Sequence, residues 1–183
     1  MEAERVACDL LAGVGTRLAH SATVAAQAER VAGALDGRWG GVLVDAAWLH
    51  DIGYSPAVAV CGFHPLDGAR WLRDRNWPDE TCRLVAGHSR SLTEAALRGL
   101  EGELLGEFVP APDLPAAALA WADVTSMPDG CRCSLDDRLA DILARYPGGP
   151  VREATQANRA GLEADVAAIE GLLSVSSTEE VSR

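Results

Sequence analysis

His50 and Asp51 are adjacent in Leu49-His50-Asp51-Ile52-Gly53, and an imidazole beside a carboxylate suits Mn, Fe or Zn better than an ion that prefers oxygen alone. The apolar run Ala46-Ala47-Trp48-Leu49 would hold the pair rigidly, and Gly53 would let the backbone turn away after it. The chain has only four histidines, His20, His50, His64 and His88, each in a different segment, and Asp123 lies in a further apolar run. A divalent ion takes about four to six donors, so His20, His50, Asp51, His64, His88 and Asp123 invite two ions sharing a carboxylate. Asp51 is the natural bridge, and so the candidate catalytic residue. Two ions a few ångströms apart would hold a hydroxide at neutral pH and bind the oxygens of a phosphate during in-line attack. Taken singly, each of these residues has an ordinary structural role open to it, Asp123 as an N-cap or ion-pair partner for example. The set is what points to metal.

The elements that must bring these residues together read as helices. Val6, Leu10 and Leu11 mark the inner face of a first helix over 2–11, and Gly13 and Gly15 loosen the chain after it. A second helix over 17–35 would bury His20, Val24, Gln27 or Ala28, Val31 and Leu35, which are three and four residues apart. The central helix, over 42–51, is apolar nearly all round, and its ligands stand at its C-terminal end, where the helix dipole favours a cation. His64-Pro65 opens another helix, proline being at home in the first turn. His88 follows Gly87 after a helix carrying Cys82, Val85 and Ala86. Residues 93–108 read as one amphipathic helix weakened by its glycines, and Pro115 opens a helix that carries Asp123. Ser134 to Asp137 resembles a capping box with Asp in place of Glu, and a last helix over 151–173 shows a stripe of Leu162, Val166, Ile169 and Leu173. Neither strand alternation nor a repeat stands out, so the expected fold is all-α. One domain over 1–173 with a polar, frayed tail over 174–183 is expected.

Composition narrows the function. A chain of 183 residues, 48% hydrophobic and 23% charged, is long enough for one well-cored domain. The formal net charge of −11 argues against a nucleic-acid polymer or an anionic membrane as partner. All sixteen basic residues are arginines, which excludes Schiff-base chemistry and leaves arginines, backbone amides or metal ions to hold an anion. Glu2, Glu4, Arg5, Asp9 and Arg17 interrupt any leader or membrane span at the start. Five cysteines without regular spacing fit reduced thiols in a cytoplasm. Cys131 and Cys133 form a C-x-C that is read as two thiols in a loop beside Asp129-Gly130.

The order His20, His50-Asp51, Asp123 resembles the H…HD…D signature of the HD-domain superfamily of metal-dependent phosphohydrolases, over about residues 17–127. His64 in His-Pro-Leu-Asp-Gly-Ala and His88 in Ala-Gly-His-Ser resemble the two extra histidines of its dinuclear branch. That resemblance implies an all-helical HD-domain-like bundle and two divalent ions (Fe, Mn, Co, Mg or Zn). The first ion would take His20, His50, Asp51 and Asp123, and the second Asp51, His64 and His88. Many members carry a lysine after His-Asp-Ile-Gly; here it is Tyr54, so that phosphate contact does not carry over, and Tyr54 becomes a candidate hydrogen-bond donor in the pocket. Arg17, one turn before His20, matches a basic residue often found there and is the favoured phosphate clamp. Arg90 is a second candidate. The expected activity is hydrolysis of a small organic phosphate ester, nucleotides among them. The same ligands also fit a di-iron oxygenase that cleaves a C–C or C–P bond, and a non-catalytic ligand-binding module is the third alternative.

Overall fold

The face expected of the second helix is buried from His20 to Val31, because residues three and four apart stack on one side of a helix; the helix stops at Ala32 rather than Leu35, which is buried beyond its end. The computed structural model describes residues 2–181, with side chains through residue 175. The helices are α1 (Glu2–Leu11), α2 (Arg17–Ala32), α3 (Trp39–Leu49), α4 (His64–Arg73), α5 (Asp79–Gly87), α6 (Leu92–Arg98), α7 (Glu101–Glu107), α8 (Asp113–Val124), α9 (Leu135–Arg145) and α10 (Pro150–Val181). Short 3₁₀ turns, Ile52–Tyr54 and His88–Arg90, follow α3 and α5. Among the described residues the only strand-like pairing is one antiparallel bridge, Ser126 with Arg132. The fold is all-α, as the sequence predicts.

Two largely apolar helices form the middle. In α3, Leu43, Val44, Ala46, Ala47 and Leu49 are buried, and in α8 every residue from Ala117 to Val124 is. Both pack against α2 and α5, while α1 lies on α3 and α10 packs on α8, α6 and α9. One apolar cluster runs from Ala3 to Ile169, and a smaller one joins Ala120, Val124, Leu139 and Leu162. The two central helices end at the candidate ligands, which is how a dry core comes to carry polar groups.

Several elements depart from the sequence reading. α1 turns Ala3, Ala7 and Leu11 inward, with Val6 and Leu10 only partly buried; alanines let its backbone approach α3 closely. The single helix expected over 93–108 is two, because Gly99 takes a left-handed conformation, φ 73°, and closes α6 before Glu101 starts α7. The cap at Ser134 is as expected: its hydroxyl accepts from the Asp137 amide at 3.2 Å. α10 continues past Leu173; the side chains of most of the expected frayed tail lie outside the described residues. The cysteines are free, and Cys131 and Cys133 sit in the loop after α8.

The loop between the first 3₁₀ turn and α4 is held from within. The buried carboxylate of Asp67 accepts from the amides of Val60, Cys61 and Gly62 at 3.0–3.1 Å, and the Cys61 thiol together with these amides outweighs burial in keeping it below the usual carboxylate range. Gly53 serves this packing too, and not the free turn expected of it. Its φ is ordinary, but a Cβ there would lie 2.0 Å from the His64 carbonyl oxygen, a backbone atom with nowhere to go. Gly53→Ala is therefore expected to cost about 3 kcal/mol or more and to lower Tm by about 10 °C; a thermal melt within 2 °C of the wild type would show that the approach of the turn to α4 is not tight.

Candidate metal centre

Helix ends leave their last carbonyls without intrahelical partners, and here two of them orient histidines. His50, the residue after α3, places Nδ1 2.8 Å from the Ala47 carbonyl, and His88, the residue after α5, places Nδ1 2.7 Å from the Val85 carbonyl. In both, Nδ1 must carry a proton and donate, which turns Nε2 inward and makes it the nitrogen that bears the lone pair of the neutral ring. That is the arrangement of an imidazole prepared for a metal, with its second nitrogen fixed by a backbone oxygen.

The remaining donors converge on these two. His20 on α2 has Nε2 2.9 Å from Asp123 Oδ1 and Nδ1 3.3 Å from the Met127 carbonyl. His64, the first residue of α4, has Nε2 3.1 Å from His88 Nε2. The ligand atoms form two triads, His20 with His50 and Asp123, and Asp51 with His64 and His88, each lying within 4.8 Å. The triads abut: the ring of His50 lies 5.3 Å from that of His20 and 5.2 Å from that of His88. Asp51 Oδ1 stands 3.6 Å from His50 Nε2 in one triad and 3.6 Å from His64 Nε2 in the other. All six residues named from the sequence meet in one place.

The donor set fits a cation on its own chemistry. His50 Nε2 is buried with no hydrogen-bond partner, which is costly for a polar atom unless something binds it. Burial pushes the His50 pKa down to about 4 against the attraction of Asp51 and Asp123, and burial with the nearby His88 lowers that of His64. These imidazoles are therefore neutral at pH 7 and free to coordinate. Burial alone would raise the pKa of Asp51, but His50, Arg17 and the other histidines hold it well below the usual carboxylate range. Asp123, also opposed by burial, is held low first by its hydrogen bond from His20 and then by the nearby imidazoles and the Arg138 guanidinium.

Each site carboxylate also carries a guanidinium. Arg17 Nη1 donates to Asp51 Oδ2 at 2.8 Å and the group lies over the Tyr54 ring at 3.8 Å. Tyr54 in turn stacks on His64, 4.0 Å between centroids, and burial first, then Asp51, raises its pKa, so its hydroxyl keeps its proton. Arg138 on α9 is only 5% exposed; its Nη2 lies 3.5 Å from Asp123 Oδ1 and its Nε has no partner. The sequence reading passed over Arg138, which looks like any arginine of an amphipathic helix. It also missed Ser89, whose hydroxyl donates a short hydrogen bond to Asp123 Oδ2. Arg90 lines the same cleft, but its guanidinium is spent on Asp165, with two bonds of 2.8 Å. The cleft over the triads encloses about 120 Å³, several times the roughly 10–15 Å³ that one water requires.

The buried imidazoles set a pH dependence for the metal-free protein. An unfolded chain binds protons at histidine below about pH 6.5, whereas the folded chain refuses one at His50 down to about 4. Stability is therefore lost as pH falls across that window, and the depressed Asp51 and Asp123 add the same sign below about 3.8. Chelator-treated protein should lose about 10 °C in Tm between pH 6.5 and 4; a flat Tm over this range would mean that His50 and His64 are not held neutral.

No curated protein and no solved structure matches the chain, and among the described residues no helix is long and apolar enough to cross a membrane. Residues 17–127 match the HD domain. That stretch covers more than half of the chain, from Arg17 through every residue of the two triads, and the chain belongs to the HD-domain family.

Proposed function

We propose that the protein is a metal-dependent phosphohydrolase acting on a small organic phosphate ester, with two divalent ions sharing Asp51. The observation that carries this reading is the position of Asp51 Oδ1, equidistant at 3.6 Å from an imidazole of each triad. A carboxylate between two sets of histidines is what a pair of ions needs. In this assignment His20, His50, Asp51 and Asp123 would hold one ion, and Asp51, His64 and His88 the other. Such ions supply Lewis acidity to the phosphoryl oxygens and lower the pKa of water toward neutrality.

The chain's own groups do the rest. A guanidinium has five N–H donors in a planar fork. Arg17 and Arg138 each commit only part of theirs to a site carboxylate or a neighbouring acid, so both retain N–H groups for phosphate oxygens and for the charge that develops on them. Arg17 is fixed in direction by its hydrogen bond to Asp51 and by the Tyr54 ring beneath it. Tyr54, kept protonated, is a donor at the same edge. The far wall of the cleft is apolar, from Leu139, Ile142, Val151 and Leu162, and packs the organic part of the ester. The complete ligand set counts against a non-catalytic module.

The test is phosphate release from a panel of phosphomonoesters by protein loaded with Mn, Fe, Co, Mg or Zn, with and without oxygen. Release without oxygen supports hydrolysis; no release under any metal, with iron bound and oxygen consumed, would replace it with oxygen-activating chemistry. Asp51→Asn should lower kcat by about 10³-fold and bound metal with it. Arg17→Ala should lower kcat/KM by roughly 10–100-fold with metal content retained. Arg17→Ala turning over at the wild-type rate would remove it from the phosphate site.

A further inference from the structure

Ser89 and Arg90 follow the ligand His88 with φ of 49° and 59°, and Asn76 is the only other non-glycine with positive φ among the described residues. Two consecutive L-residues in the left-handed region are strained, and they persist only where their surroundings enforce them. Here the enforcement comes from α10. The Arg90 guanidinium is gripped by Asp165 through two parallel bonds, Nε to Oδ2 and Nη2 to Oδ1, each 2.8 Å. Its backbone carbonyl accepts from Asn158 Nδ2 at 3.0 Å, and the other end of that carboxamide accepts from Thr93 Oγ1 at 2.6 Å. At Gly161 a Cβ would lie 2.6 Å from Arg90 Cζ, so the absence of a side chain is what admits the guanidinium. Asn158, Gly161 and Asp165 are spaced three and four apart, one face of one helix.

The turn they hold touches both triads. His88 belongs to the one with Asp51 and His64, while the Ser89 hydroxyl donates to Asp123 in the other. We propose that α10, which lies outside the family match of 17–127, is the positioning element of the metal centre. Asn158, Gly161 and Asp165 lock Ser89 and Arg90 in the conformation that presents His88 and the Ser89 hydroxyl. Arg90 is on this account a positioning residue that acts through His88. The inference rests on the metal-centre reading above, but not on any turnover.

The experiment is calorimetric titration of Mn²⁺ into chelator-stripped, dialysed full-length protein, with a thermal melt of each variant. Asp165→Ala should weaken Mn²⁺ binding at the His88 site at least tenfold. Gly161→Ala displaces the guanidinium without changing any charge and should weaken binding at least fivefold while the melt stays level or rises, alanine being the better helix former. A purely structural role would move the two in the same direction. Adding Arg90→Gly to Asp165→Ala should bring affinity back to within threefold of the wild type, because glycine adopts positive φ without strain. Affinities of Asp165→Ala and Gly161→Ala within threefold of the wild type, or no recovery in the double variant, would overturn the inference while leaving the metal centre standing. A wild type that binds no Mn²⁺ would overturn both.

Discussion

The structure depends on bringing four imidazoles and two carboxylates together at the buried floor of a cleft, where they have no mutual reason to gather. Unpaired polar atoms in such a place are costly, and the protein meets that cost with groups its helices leave over. Carbonyls at the ends of α3 and α5 take the Nδ1 protons of His50 and His88. Arg17 and Arg138 sit on the carboxylates. Two polar atoms of the site are not met inside the chain, Arg138 Nε and His50 Nε2, and the lone pair of the second calls for a cation. The two largely apolar helices, α3 and α8, are the means by which His50, Asp51 and Asp123 are fixed in place.

Much of this was legible in the sequence because the residues concerned are chemically scarce. With only four histidines in the chain, a set that includes His-Asp leaves few other arrangements, and the 3.6-residue periodicity of α2 put His20 on the inner face. The fold class followed from the same periodicity. What could not be read was pairing over long separations. Arg90 and Asp165 are 75 positions apart, and no local pattern couples them, so Arg90 looked like a ligand for phosphate. Arg138 was hidden by a helix in which an arginine is unremarked. Gly53 was read as a turn because glycine's freedom is visible in a sequence, whereas the approach of His64's backbone is not.

The arginine-only composition acquires a structural meaning at the site. A lysine would be a point charge on a flexible stem, whereas a guanidinium can stack on Tyr54 and hydrogen-bond Asp51 in the same pose. The ring of Tyr54, on the turn after α3, and the guanidinium of Arg17, at the start of α2, thereby form one stacked edge of the cleft.

The Asp67 carboxylate gives the chain one more property. By gathering the amides of Val60, Cys61 and Gly62, it fastens the loop to α4, the helix that begins with His64. The loop tip at Val60 is 87% exposed, yet its amide bonds to the first turn of the helix that His64 opens. The outermost point of this loop and a buried candidate ligand are thus separated by one carboxylate, and the backbone that carries His64 is anchored from the solvent side as well as from the core.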